Sequence, residues 1–313
     1  MKNKILLYLI VLLSAVLGCI RSFNSKTSFF INEEIIIEET KKEFPATLIA
    51  VKDVSNDTIE SYDMEEYLIG VVAGEMPASF NEEALKAQAV AARTYAYYKM
   101  QTSNGNFDIT NDATTQVHLT NEQMYQRWQE GFNKYYERVK KAVMDTRGEV
   151  ITYQSQIIPA YYFAMSNGYT ENSELVFNEE KDYLKSVPSP ENKENYEYEV
   201  TFTKKEFCNK LQINCEKIEV NNIVRTNTNR ITSITINNEE FNGKTFKYLL
   251  NIRSTDFDLL IGDNIKIITR GFGHGVGMSQ YGANNLANSG YSYQEILAHY
   301  YTNTKITNIG SII

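Results

Sequence analysis

The sequence predicts an α+β fold: a helical hairpin packed on mixed strands, with a second, strand-rich lobe, after one N-terminal membrane segment. Three observations predict it. Residues 1–20 are mostly apolar behind Lys2 and Lys4. Residues 63–100 carry helical periodicity that Pro77 interrupts. Beyond Gly148, short β-branched runs alternate with turn residues. A formal charge of −8 and an isoelectric point near 5.2 argue against a nucleic-acid partner, which calls for a basic face.

The run Ile5–Ile20 is shorter than the roughly 20 residues of a usual spanning helix. It fits an export signal, a short signal-anchor or a lipoprotein signal ending at Cys19, although Leu17 is bulky for the last of these. Residues 21–44 read as a polar juxtamembrane spacer and residues 45–313 as the folded part. Ala46–Asp53 and Thr58–Tyr62 have strand composition.

Asp63 is placed to cap the first helix, with Glu66 three residues on. Met64, Leu68, Val71, Val72 and Glu75 share one face of a 3.6-residue period. Pro77 biases Met76 out of the helical region, so the helix ends there with Glu75 in its last turn. Partial burial and the negative helix end both disfavour a carboxylate, so the pKa of Glu75 is expected to rise. A carboxyl group still protonated near neutral pH is what a general acid requires. Ser79 with Glu82 reads as the start of the second helix, and Leu85, Ala89, Ala92 and Ala96 form a stripe of mostly small residues flanked by Gln88 and Arg93.

Residues 104–120 read as a surface loop containing Asp112 and His118; one histidine does not make a zinc site. Residues 121–145 read as one helix, with Trp128, Phe132, Tyr135, Tyr136, Val139 and Val143 packing into the core. Strands follow at 149–153 and 157–163, leading to a polar turn with Ser166, Asn167, Gly168, Tyr169 and Glu171. The second lobe spans about 196–255, with strand patterns that include the run Phe246–Leu250. Cys208 and Cys215 lie seven apart; the choice is between a disulfide and two buried thiols. A strand at 264–270 feeds alternating Gly271, Gly273, Gly275 and Gly277 around His274, and no Walker pattern ends that run. Ser279, Gln280 and Tyr281 open a helix closing at Gly290. Ser292 with Glu295 opens the last one, in whose packing His299 takes part.

Three blocks carry a resemblance: GVVAGEMPASFNEEALKAQAVAARTYAYY, the weaker FAMSNGYTENSELVF, and GFGHGVGMSQYGANNLANSGYSYQEILAHYYTNTKI. In order and spacing they are similar to the stage II sporulation protein D (SpoIID) family, from about Pro45 to the end. That resemblance implies a lytic transglycosylase that cleaves peptide-stripped peptidoglycan strands during forespore engulfment, leaving 1,6-anhydro muramic ends. Glu75 matches the family's catalytic glutamate. The cleft would draw on Gln88, Arg93, Ser166, Tyr169, His274, Gln280 and Tyr281. The resemblance also implies a single N-terminal anchor with the domain outside the cytoplasm. The partners it implies are a SpoIIP-like amidase-endopeptidase and a SpoIIM-like membrane protein.

Some relatives hold a Cys/His metal cluster in the loop where this chain has only His118, so neither a metal nor another cofactor is expected. Two alternatives stay open. One is a non-enzymatic, glycan-binding enhancer of a cell-wall amidase. The other is a two-carboxylate hydrolase using Glu171, Asp112 or Asp256 beside Glu75.

Overall fold

Ile49 and Val51 alternate inward along β1 (Leu48–Asp53), which pairs antiparallel with β2 (Thr58–Asp63). The computed structural model describes residues 47–192 and 196–312. The expected membrane segment at 1–20 and spacer at 21–44 lie outside these residues. Among the described residues no helix is long and apolar enough to cross a membrane.

Helix α1 (Met64–Glu75) leaves β2 directly, and the Asp63 side chain accepts from the backbone N–H groups of Glu65 and Glu66. Met76 is extended, as the residue before a proline prefers. Helix α2 (Glu82–Thr102) starts later than the Ser79–Glu82 spacing predicts. A turn closed by the Phe80 N–H on the Pro77 carbonyl occupies Ser79, and Asn81 supplies the cap by accepting from the Glu83 N–H. Strand β3 (Ile109–Thr110) then runs parallel beside β1.

The single helix expected at 121–145 is two, α3 (Asn121–Trp128) and α4 (Phe132–Asp145), joined by a 3-10 turn. The break falls at Gln129, whose φ of 48° no α-helix accommodates. Strand β4 (Glu149–Tyr153) pairs with β5 (Gln156–Ile157). The strand expected to run from 157 to 163 is interrupted at Pro159, whose carbonyl accepts from the Tyr161 N–H in a turn, and only β6 (Tyr162–Phe163) resumes. Helix α5 is Ser173–Phe177.

The second lobe comprises β7 (Glu197–Thr203), α6 (Lys204–Leu211), β8 (Val220–Arg225), β9 (Ile231–Ile236), β10 (Glu239–Asn242), α7 (Gly243–Leu250), β11 (Phe257–Ile261) and β12 (Asn264–Arg270). It runs past residue 255 because β12 pairs with β7 along seven residues and Phe257, Ile265 and Ile267 lie in its core. The run expected as a strand at Phe246–Leu250 is helical. Asn242 caps it, and Phe246 and Leu250 point inward four residues apart while Tyr248 stays 83% exposed. Of the two cysteine alternatives the structure has the disulfide. Helix α6 ends at Leu211, Gln212 turns left-handed, and the Cys208 and Cys215 Cα atoms come within 5.7 Å.

The chain returns through β13 (Met278–Ser279), parallel to β6, then α8 (Gln280–Asn288), α9 (Tyr293–Tyr300) and β14 (Lys305–Asn308), which pairs with β4. Two of the alternating glycines, Gly271 and Gly277, admit neighbouring backbone. At Gly277, with φ 78°, a Cβ would meet the Tyr161 carbonyl oxygen at 2.0 Å.

Helix α2 is the axis of the larger core. It packs against α1, α4, α8, α9 and β4, and buries residues all around its middle turns rather than along one stripe. Its alanines permit that close approach. Arg93 is completely buried on it. Its Nε donates to Glu65 Oε1 at 3.1 Å and its Nη2 to Glu65 Oε2 at 2.5 Å. The remaining protons reach Val143 O at 3.0 Å, Glu149 O at 3.3 Å and Thr146 Oγ1 at 3.4 Å. Arg93 is therefore a core residue joining α1, α2 and the turn after α4, and takes no place in a cleft.

Arg93→Met is expected to lower unfolding free energy by about 3–5 kcal/mol, the range for stripping one partner from a buried ion pair. Urea titration reads this as a lower midpoint at unchanged slope. Adding Glu65→Leu should recover part of the loss, because the stranded carboxylate is then gone.

Candidate active site

Glu75 closes α1 and opens into a cleft of about 510 Å³. Its Oε1 accepts from the Val117 N–H at 2.7 Å, and its Oε2 from Gln280 Nε2 at 3.4 Å. Val117 reaches it because the loop before α3 lies flat on α1, where Gly70 and Gly74 present no side chain. A Cβ at Gly74 would meet Val117 O at 2.4 Å, and one at Gly70 would meet the His118 ring at 2.4 Å. Gln116 anchors the same loop. Its Nε2 donates to Ala92 O at 3.1 Å and to the Tyr162 hydroxyl at 2.8 Å, while the Tyr67 hydroxyl donates to its Oε1 at 3.2 Å.

Burial pushes the Glu75 pKa up, and the Val117 N–H and the Gln280 amide pull it partly back by bonding to the ionised form. The net direction is upward, so the protonated acid persists to higher pH than an exposed glutamate would allow. The phenols of Tyr67 and Tyr162 are pushed well above their ordinary range, first by burial and then by the charge of Glu75. Both stay protonated beside it.

The cleft walls also include Pro77, Arg127, Trp128, Tyr135, Phe272 and Tyr281. The Tyr281 ring is held edge-on against Phe80, 5.0 Å between centroids. Arg127 donates to the carbonyls of Ala73 at 2.8 Å and Gly74 at 3.4 Å, satisfying the end of α1 beside the acid. Sequence periodicity assigns Trp128 and Tyr135 to the core. The break at Gln129 leaves both half-buried, with faces on the cleft. Trp128 is the sole tryptophan of the chain, and aromatic rings of this kind present an apolar face with a polar edge.

Of the residues predicted for the site, Gln280 and Tyr281 line the cleft with Glu75. Gln88 stands behind them, fully buried, with its Oε1 accepting from Gln280 Nε2 at 3.4 Å. The other predicted residues are elsewhere. Ser166 is buried, accepting from the Gly168 N–H while its own N–H bonds to Glu191 Oε1. Tyr169 is exposed beside a separate hollow of about 350 Å³. His274 is fixed by the Tyr162 carbonyl at Nε2 and the Val276 N–H at Nδ1, which makes it a neutral imidazole carrying its proton on Nε2. Burial lowers its pKa to about 4, aided by the Lys247 charge. It faces another cavity.

His118 packs on Tyr67 with 5.2 Å between ring centroids, and burial likewise lowers its pKa to about 4. Among the described residues no group of three or more His, Cys, Asp or Glu is placed to hold a metal.

The candidate second carboxylates do not join Glu75. Glu171 is bound by the hydroxyls of Thr226 and Thr228 and by the Asn172 N–H. Asp112 accepts from Thr110 and Thr114 within its own turn. Asp256 accepts from Asn167, Asn229 and Arg270. Among the described residues lining the cleft, Glu75 is the acidic one.

The SpoIID family, described as stage II sporulation protein, matches residues 52–153 by its sequence profile. The chain is 38% identical over 298 residues to the stage II sporulation protein D of Bacillus amyloliquefaciens, covering 92% of this chain and 86% of the relative. It is 37% identical over 286 residues to the protein of that name from Bacillus subtilis (strain 168), covering 88% and 83%. It is also similar to the amidase enhancer of Bacillus subtilis (strain 168), 28% identical over 304 residues, 77% of this chain and 40% of that one.

Gly74→Ala should drive Val117 off Glu75. Losing an N–H that favours the ionised form, the Glu75 titration midpoint should move further up, read by carboxyl-carbon NMR across a pH series. An unmoved midpoint would show that the Val117 bond does not set the acidity.

Proposed function

The chain belongs to the stage II sporulation protein D family of sporulation proteins, and on that premise we propose that it is a lytic transglycosylase acting on peptide-stripped peptidoglycan. What carries this reading is a single acid with a raised pKa in a cleft where no second carboxylate stands among the described lining residues. Hydrolytic glycosidases generally need two.

One carboxyl group suffices when the substrate supplies its own nucleophile. Protonated Glu75 gives its proton to the oxygen joining muramic C1 to the next sugar, and that C1–O bond breaks. The muramic C6 hydroxyl then bonds to C1, and its proton passes to the Glu75 carboxylate. The anhydro ring closes, the acid is restored and no water is consumed.

Gln280 and Val117 hold the two carboxylate oxygens in place through both halves of this cycle. Trp128, Tyr135 and Tyr281 offer ring faces on which sugars stack. In this reading the domain works outside the cytoplasm, tethered by residues 1–20. It acts on strands stripped by a SpoIIP-like amidase, beside a SpoIIM-like membrane protein, in forespore engulfment.

The similarity to an amidase enhancer favours a second reading, a glycan-binding regulator without chemistry of its own. Incubating the fragment from Ser22 onward with peptide-free strands separates the two by mass spectrometry. Anhydro-muramic ends are expected, and Glu75→Gln should reduce their formation at least about hundredfold, the low end for a general acid. Reducing ends would indicate hydrolysis instead. A folded protein that binds strands and leaves them intact would establish the regulator.

The pH profile follows in sign. The active form is protonated, so kcat/KM should decline as pH rises through the raised pKa of Glu75. A kcat/KM that shows no decline with rising pH anywhere the protein stays folded would exclude Glu75 as the acid.

A further inference from the structure

A second cavity, of about 730 Å³, lies where the 197–270 lobe meets the rest of the fold. Four cations line it, Lys210, Lys244, Lys247 and Arg230, in a chain whose net charge is −8. The acid among its described lining residues is Glu171, already engaged by two threonine hydroxyls and a backbone N–H. Arg230 is committed too, donating to Thr228 Oγ1 and to the Tyr169 carbonyl, each at 2.9 Å.

The lysines differ. Among the described residues none of the three makes an ion pair with a carboxylate within 4.0 Å. Lys244 Nζ sits 5.9 Å from the Phe177 ring centre. Lys247 Nζ has a long contact, 3.5 Å, with the Gly273 carbonyl. Its burial lowers its pKa, the mark of an ammonium held partly out of water without a counter-charge. Both project from α7, three residues apart, and so lie on neighbouring turns of one helix face. The neutral His274 beside them adds no charge. Ile231 and Ile252 give the cavity an apolar floor. The site thus suits an anionic group on an uncharged body.

Phe272 stands between this cavity and the Glu75 cleft. Its half-exposed ring lines both the cavity and the Glu75 cleft. Phe272 is the residue that the two linings have in common. A peptide-free glycan strand carries one acid per disaccharide, the lactyl carboxylate of its muramic sugar.

We propose that Lys244 and Lys247 bind a free lactyl carboxylate of the same strand that Glu75 engages. The proposal rests on the glycan reading of the cleft. It gives the cavity a task in selection. A stem peptide still attached turns that carboxylate into an amide and removes the charge the lysines meet.

Calorimetry on the Glu75→Gln protein tests this without turnover. The ligands are peptide-free strands and the same strands with each lactyl carboxylate converted to the neutral methylamide. Neutralisation should weaken binding about tenfold, the scale of one charge-assisted hydrogen bond. Adding Lys244→Gln and Lys247→Met should make the two ligands bind alike at the weaker affinity. Replacing both lysines by arginine should preserve the difference. Thermal unfolding checks that each variant folds, and the exposed Lys244→Gln alone serves if the double variant does not.

Equal binding of both ligands by the parent, a difference that survives loss of the lysines, or no binding of either strand overturns the proposal. The cleavage reading is judged separately, by anhydro ends from the wild type. Charge-dependent binding without those ends would keep the pocket and remove the transglycosylase.

Discussion

The buried contact between Arg93 and Glu65 fixes the hairpin on which the rest of the larger core is assembled. Helix α2 is wrapped on every side, so nothing about its own periodicity orients it. A guanidinium with several protons to satisfy does orient it. It engages α1 through Glu65, the end of α4 through Val143 and Thr146, and the start of β4 through Glu149. The Gly148 N–H adds to Glu65 Oε1 at 3.3 Å. Taking both charges out of water is costly, and the cost is offset only in one arrangement of these segments. That arrangement sets the angle at which α1 delivers its last residue, Glu75.

At that end a different balance operates. The carboxyl is sheltered enough to hold its proton and bonded enough to keep one orientation. Stronger hydrogen bonding would stabilise the anion and spoil the acid, and weaker bonding would let the group turn. A 2.7 Å backbone bond on one oxygen and a 3.4 Å amide contact on the other lie between those limits. The glycines of α1 matter for this reason: they admit the loop backbone at a distance where a single N–H can act.

The hairpin was legible because its signals are local. Asp63 caps, Pro77 stops the helix, and Glu75 falls on the apolar face between them. Arg93 was not legible, since an arginine beside a row of alanines resembles a cleft residue until Glu65, 28 positions earlier, is seen against it. Val117 gives no sequence signal at all, because its contribution is a main-chain N–H. Trp128 and Tyr135 read as core because periodicity does not show the break at Gln129, with φ 48°, and both pack on the core while also lining the cleft. In α7 the β-branched and aromatic composition misleads, and only the four-residue spacing of Phe246 and Leu250 marks a helix. The family motifs located Glu75, Gln280 and Tyr281 together. They did not reveal that Ser166, Tyr169 and His274, equally motif-borne, do not line the cleft of the acid.

The bond from Gln280 to Glu75 spans 205 positions of chain. A polypeptide is made from its amino end, and its early parts begin to fold before its last parts exist. Glu75 is thus present through most of synthesis while its amide partner and the Tyr281 side of its cleft are not. The helices that enclose α2 from that side, α8 and α9, also arrive last. A chain cut short anywhere before residue 280 contains the acid in an unfinished setting. The cleft around Glu75 therefore closes only after residues 280 and 281 have been made, late in synthesis, and the acid acquires its partner and its second wall together.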